Sequence, residues 1–120
     1  MGKAVLVVDD DPWVRDMLEL ALLGEGYEVT LAGDGVEAIE RVEARRPSLI
    51  LVDLMMPRMN GFEFAEQLRL RGLRSAIPLL AVTGAGEGVW STAGLEADGL
   101  VTKPFRLPEL FDAVAGLAKS

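Results

Sequence analysis

The chain has 120 residues, half of them apolar and 26% charged, and its 19 acidic and 12 basic side chains give a net charge of −7. This length predicts a single domain, and the acidic balance argues against direct binding to nucleic acid or to anionic membranes, because both need basic surfaces. Neither Cys nor His occurs, which excludes disulfides, zinc–thiolate sites and histidine-based catalytic triads.

The first predicted elements are a buried strand and an amphipathic helix. Residues 4–8 form a continuous apolar run of the kind that parallel sheets bury on both faces. The helix that follows has Asp11 as its N-cap and Pro12 at its first position. Its apolar residues recur at spacings of three and four, and they are Val14, Met17, Leu18, Ala21 and Leu22.

The next segment, YEVTLA from Tyr27, alternates between apolar and polar residues. This period of two predicts an edge strand with one partly wet face. A second helix is predicted between an N-cap at Asp34 and a stop before Pro47. Its apolar stripe consists of Val36, Ile39 and Val42.

Three more apolar runs, 49–52, 77–82 and 100–101, are predicted to be buried strands. A helix between the first two ends near Gly72, and the last helix has Pro108 in its first turn. The apolar stripes of these helices are Phe62, Ala65 and Leu68, then Leu107, Leu110, Phe111, Val114 and Leu117. The glycine-rich segment 84–99 predicts a weak helix and is our candidate for a mobile element, because each interior glycine costs about 1 kcal/mol.

Five strands alternating with helices predict an α/β fold. We expect a flavodoxin-like, doubly wound, five-stranded parallel sheet with strand order 2-1-3-4-5 and helices on both faces. The order reverses between the first and third strands, and ligands bind at the carboxyl ends of strands at such a point.

Polar side chains follow four of the five strands. They are Asp9, Asp10, Asp11, Asp53, Thr83 and Lys103. The carboxyl ends of parallel strands share one sheet edge, so these groups are expected to converge. Two carboxylates about 4 Å apart repel by about 4 kcal/mol at an effective dielectric of 20, so the cluster requires a cation. All-oxygen ligands favour Mg²⁺, Mn²⁺ or Ca²⁺ over zinc, and so few side chains favour Mg²⁺ with a phosphate-type ligand.

Four segments resemble the receiver domain of two-component response regulators: LVVDDDP, LILVDLMMPRMNG, LLAVTGAG and LVTKPF. The resemblance covers essentially the whole chain in the family's order and spacing. It implies a single receiver domain over residues 1–120, with no output domain in this chain, acting in a phosphorelay in the cytoplasm.

The resemblance implies that Asp53 is the phosphoacceptor, which takes a phosphoryl group from a phosphohistidine on a sensor histidine kinase or a histidine phosphotransfer protein. Thr83 is similar to the hydroxyl that moves to bind the phosphoryl group, and Lys103 to its counter-charge. The peptide bond between Lys103 and Pro104 is typically cis in this family.

The resemblance also implies a Mg²⁺ site, with Mn²⁺ as the alternative ion. Asp10 and Asp53 match direct ligands, together with the backbone carbonyl of Met55. Asp9 matches the acid that reaches the metal through water.

One position departs from the family. Leu100 occupies the place where many receivers carry a Tyr or Phe that swings inward on activation, and we predict that it is a buried strand residue.

We expect a signalling module rather than an enzyme. The alternatives are an inert docking scaffold, which Leu100 favours mildly, and a Mg²⁺-dependent aspartyl-phosphate phosphatase, whose DxD acid spacing differs from the adjacent acids here. No residue pattern supports a membrane segment, and none supports dimerisation through the last two helical segments.

Overall fold

The computed structural model describes residues 3–54, 59, 61–84 and 97–118, with residues 83 and 84 described by their backbone. Strands and helices alternate along the chain, as the sequence predicts. The strands are β1 (Ala4–Val8), β2 (Glu28–Ala32), β3 (Leu49–Asp53), β4 (Leu79–Gly84) and β5 (Gly99–Lys103). The helices are α1 (Pro12–Gly24), α2 (Gly35–Ala44), α3 (Gly61–Leu70) and α4 (Leu107–Leu117), with a short 3₁₀ turn at Arg74–Ala76.

The five strands form one sheet in the order β2-β1-β3-β4-β5, and every pairing is parallel. The predicted topology is therefore confirmed. Val8 lies opposite Val52, and Asp53 lies opposite Val82. This register brings the carboxyl ends of β1, β3, β4 and β5 to the same sheet edge.

The sheet separates two apolar clusters, which explains why its central strands are continuous apolar runs. Leu6 and Val8 pack on one side with residues of α2 and α3. Val5 and Val7 pack on the other side with residues of α1 and α4. Because successive strand side chains point to opposite faces, both faces of β1 and β3 are buried.

The helix boundaries follow the local signals in the sequence. The Asp11 carboxylate accepts a hydrogen bond from the backbone N–H of Trp13 at 2.9 Å, with Pro12 as the first helical residue of α1. The Asp34 carboxylate accepts one from the N–H of Glu37 at 2.9 Å. Both predicted N-caps are confirmed. Gly72 follows α3 with φ of +74°, a conformation that residues with a Cβ rarely adopt.

The prediction that Leu100 is buried is wrong. Its side chain is 41% exposed, whereas the next residue, Val101, is buried. The reason is the position of β5 at the sheet edge, where it pairs with β4 alone among the described strands. The short apolar run could not distinguish such a strand from a central one. Leu100 lies on the opposite face from Val101, which packs with α4 residues.

The buried face of several helices is also narrower than the apolar stripe that the sequence predicts. Met17, Val36 and Leu107 lie in the predicted stripes but are exposed. In α1 the fully buried residues are Leu18 and Leu22, which face the sheet. The side chain of Trp13 is 85% exposed. Strand β4 begins at Leu79 rather than at residue 77 because Pro78 has no N–H to donate to a neighbouring strand.

Two further expectations concern other parts of the chain. Most of the glycine-rich segment 84–99 lies outside the described residues, so its predicted mobility stays a prediction. Among the helices that the structure describes, each is too short or too polar to cross a bilayer.

Candidate functional site

Three carboxylates meet at the carboxyl ends of β1 and β3. Asp9, Asp10 and Asp53 each offer an oxygen atom, and these atoms lie within 4.8 Å of one another. Asp9 and Asp10 directly follow β1, and Asp53 is the last residue of the adjacent strand β3. The convergence that the sequence predicts for these acids is therefore present.

Lys103 brings one positive charge to this cluster from the end of β5. Its Nζ lies 3.1 Å from Oδ2 of Asp53 and 3.7 Å from Oδ2 of Asp9. Partial burial disfavours the ammonium, but the nearby carboxylates of Asp53 and Asp9 outweigh this effect and raise the pKa of Lys103. The peptide bond to Pro104 is cis, as predicted. Lys103 is thus a protonated donor to the acidic site at neutral pH.

Asp9 is the most deeply held of the three acids, with 2% of its surface exposed. Its backbone N–H donates to the carbonyl of Ala32 at 3.1 Å, and its Oδ1 accepts the N–H of Asp11 at 2.9 Å. Burial raises the pKa of the Asp9 carboxyl from 3.8 to about 6. The hydrogen bond from Asp11 opposes this rise, whereas the negative charge of Asp53 adds to it.

The donor set fits a hard divalent cation. All side-chain donors in the three-acid group are oxygen atoms, which suit Mg²⁺ and Mn²⁺ rather than thiophilic metals. A single lysine cannot neutralise three adjacent carboxylates, and the negative charge of Asp53 adds to the effect of burial in raising the pKa of Asp9. Asp10 is exposed and Asp53 is 8% exposed, so the cluster opens to solvent from the side of Asp10.

The other predicted site residues are described less completely. The backbone of Thr83 lies in β4 and pairs with Thr102 of β5, close to the sheet edge that carries the acids. Its hydroxyl and the whole of Met55 lie outside the described residues. The roles of Asp9, Asp10, Asp53, Met55, Thr83 and Lys103 stay predictions.

One residue at this site has no counterpart in the sequence predictions. Arg15 lies on the polar face of α1, where the spacing predicts no more than a solvated charge. Its guanidinium donates to the backbone carbonyl of Asp9 at 3.2 Å. A bond to a main-chain carbonyl depends on the fold around it, so no residue pattern could have revealed it.

Known proteins with similar sequences point to one family. The family model of the response regulator receiver domain matches residues 5–115. The DNA-binding response regulator MtrA of Mycolicibacterium smegmatis is 42% identical over 112 residues, which cover 92% of this chain and 48% of MtrA. The response regulator MprA of Mycobacterium ulcerans is 41% identical over 121 residues, covering 99% of this chain and 51% of MprA. The chain thus spans about half the length of these relatives.

Solved structures with the same fold agree with this relationship. The chemotaxis protein CheY4 of Vibrio cholerae superposes with a TM-score of 0.87 at 31% identity, covering 98% of this chain and 99% of CheY4. A response regulator from Chloroflexus aurantiacus superposes with a TM-score of 0.89 at 34% identity, covering 98% of each chain. On the sequence match, the parallel sheet and the acidic cluster together, the chain belongs to the response regulator receiver domain family.

Proposed function

We propose that this receiver domain accepts a phosphoryl group on Asp53 from a phosphohistidine of a sensor histidine kinase or a histidine phosphotransfer protein. The observation that carries the proposal is the placement of Lys103 Nζ 3.1 Å from Oδ2 of Asp53, beside two further carboxylates. Asp53 would be an anionic nucleophile that receives an anionic phosphoryl group, so it needs a positive charge such as Lys103 nearby to offset their repulsion. The domain would then act as a signalling switch rather than as an enzyme that turns over a substrate.

The reaction requires little covalent machinery from the chain. A carboxylate oxygen of Asp53 forms a bond to phosphorus while the phosphorus–nitrogen bond to the imidazole breaks, and that electron pair stays on the imidazole nitrogen. Lys103 remains protonated and offsets the negative charge of the two reacting groups. Thr83, near the end of the neighbouring strand β4, would supply a hydroxyl to the transferred group.

The proposed cofactor is Mg²⁺, with Mn²⁺ as a substitute. Asp10 and Asp53 would hold it directly, together with the carbonyl of Met55, and Asp9 would hold it through water. When bound, the ion would neutralise charge on the phosphoryl oxygens. The chain's own contribution is to keep the acids together in a position that solvent and a phosphate can reach.

The proposed partners follow from the family rather than from a contact in the structure. MtrA is described as a DNA-binding response regulator, and this chain matches about half of it. We therefore propose that residues 1–120 form one receiver unit that reports to an output domain or protein still to be identified. With a net charge of −7, the unit itself is not expected to contact nucleic acid. We also propose that it acts in the cytoplasm.

The test is phosphorylation by a small-molecule donor. The protein is incubated with phosphoramidate and Mg²⁺, and intact mass spectrometry counts the added phosphoryl groups. We expect one group on the wild-type protein, none on Asp53→Asn, and one on Asp112→Asn. Asp112 is an exposed carboxylate on α4 and provides a matched control for the loss of one charge.

The alternatives give different results in the same experiment. An inert docking scaffold would gain no mass in any variant. A phosphatase would release inorganic phosphate from a phosphoester in many turnovers for each protein molecule. Labelling that survives in Asp53→Asn would contradict the assignment of Asp53 as the phosphoacceptor.

A further inference from the structure

Arg15 connects helix α1 to the loop that carries the acidic residues. Its side chain is partly buried, and its NH1 group donates to the backbone carbonyl of Asp9 at 3.2 Å. That carbonyl belongs to the peptide unit that joins Asp9 to Asp10. The hydrogen bond therefore restrains the orientation of the peptide from which the Asp10 side chain departs.

Gly33, in the loop after β2, provides the space for this guanidinium. A Cβ atom at Gly33 would lie 2.7 Å from NH1 of Arg15 and 3.8 Å from its Cζ. Separately, the backbone N–H of Gly33 donates to Oε1 of Glu37 at 2.6 Å, which holds the loop in place. The guanidinium thus lies between the loop after β1 and the loop after β2, where it packs against the backbone of Gly33.

Asp10 depends on such a restraint more than its neighbours do. Asp9 is buried, and its carboxylate is held by the N–H of Asp11. The Asp10 side chain is exposed, stands between two like charges in the chain, and has no hydrogen-bond donor within the part of the chain that the structure describes. An oxygen of the Asp10 carboxylate lies within 4.8 Å of an oxygen of Asp9 and of Asp53, so electrostatic repulsion opposes this position. The peptide that carries Asp10, whose carbonyl accepts the hydrogen bond from Arg15, restrains the residue against this repulsion.

We propose that Arg15 is a positioning residue for the cation site: seated on Gly33, it holds the Asp9–Asp10 peptide so that the Asp10 carboxylate faces Asp53. This inference rests on the proposed function, in which these two acids bind a divalent ion. Partners that orient metal ligands in this way typically change metal affinity by about 10-fold to 100-fold when they are removed.

The positioning role and a purely electrostatic role of Arg15 predict opposite effects. A positive charge near an anionic site repels an incoming cation, so its removal alone would tighten cation binding. Removal of a positioning group would weaken binding despite this gain. Gly33→Ala tests the same point without any change of charge, because the new methyl group displaces the flexible end of the Arg15 side chain.

The experiment measures Mn²⁺ binding to the unphosphorylated protein, with free Mn²⁺ counted by electron paramagnetic resonance. We expect the Kd to rise about tenfold in Arg15→Ala and by a similar factor in Gly33→Ala. The double variant is expected to bind no more weakly than either single variant, since both substitutions remove the same contact. Arg15→Lys keeps a cationic donor and should recover part of the affinity. Arg69→Ala, which removes a positive charge from α3, should leave the Kd unchanged.

Several results would overturn the inference. Binding that is unchanged or tighter in Arg15→Ala would leave Arg15 with no positioning role. If the fold-increase in Kd in the double variant equals the product of the two single fold-increases, Arg15 and Gly33 act separately. If Arg15→Ala fails to fold in EDTA, Gly33→Ala alone decides the question. Wild-type protein that binds no Mn²⁺ would overturn the proposed function as well, whereas wild-type binding with unaffected variants would overturn only the positioning role.

Discussion

At the residue scale, the carboxyl of Asp9 couples the acidic cluster to the stability of the fold. Its pKa in the folded protein is about 6, above the ordinary value of 3.8, mainly because of burial. Between these two pH values the folded protein holds a proton that the unfolded chain releases. The stabilisation by protonated Asp9 is therefore complete below about pH 4 and is lost as the pH rises through 6.

This linkage predicts the effect of Asp9→Asn in metal-free buffer. The pKa shift of Asp9 corresponds to a cost of up to about 3 kcal/mol at pH 7, which the neutral amide avoids. The free energy of unfolding in EDTA should thus be higher for Asp9→Asn than for the wild type at pH 7, and the two should converge at pH 4. Urea unfolding at each pH measures the difference. If the free energy of unfolding of the two proteins changes with pH in the same way, the pKa of Asp9 is not raised by folding.

At the scale of one element, helix α1 and the acidic loop share a residue. Asp11 accepts the N–H of Trp13 through its side chain, and its own N–H donates to the carboxylate of Asp9. The start of the helix and the shape of the acid loop are therefore built together. A change at this cap affects stability through two opposing effects, the lost hydrogen bond and the relief of charge repulsion.

Two substitutions at Asp11 separate these effects. Asn keeps the capping acceptor and removes the charge, whereas Ala removes both. We expect Asp11→Ala to be less stable than Asp11→Asn by about 1 kcal/mol, which is typical for the loss of an N-cap. Thermal unfolding in EDTA provides the comparison. Equal stability of the two variants would mean that the Asp11 side chain does not stabilise α1.

At the scale of the whole molecule, the proposed cation binding would be linked to folding, because the three acids come from two distant parts of the chain. Asp10 and Asp53 are close together only when β1 and β3 pair in the sheet. The unfolded chain has no equivalent site, so an ion that binds the cluster stabilises the folded state by mass action.

We therefore expect Mg²⁺ to raise the melting temperature. At a concentration ten times its Kd, the ion should add about 1.4 kcal/mol to the free energy of unfolding. NaCl at the same ionic strength provides the control for general screening of the −7 net charge. Asp10→Asn should lose most of the response to Mg²⁺. The same stabilisation by NaCl and by Mg²⁺ would argue against a specific site.

Local and periodic features of the sequence were sufficient to predict the alternation of strands and helices, the edge position of β2 and the gathering of the acids. The continuous run at 49–52 and the alternating segment from Tyr27 distinguish a central strand from an edge strand, because side chains on a strand alternate between faces. The acids follow strands whose ends must meet in a parallel sheet. Asp11 and Asp34 act as caps through contacts two and three residues away, so their roles are also visible in the sequence.

Other features depend on contacts between segments that are distant in the chain. The exposure of Leu100 follows from the edge position of β5, and the pKa of Asp9 follows from how deeply the folded chain buries it. The contact between Arg15 and Gly33 links two segments whose proximity cannot be predicted from their spacing in the sequence. The sequence by itself thus determined the order of the strands and which charged groups follow them. Only the tertiary structure decided which of those groups are buried, restrained or open to solvent, since burial and distance arise when separate elements pack together.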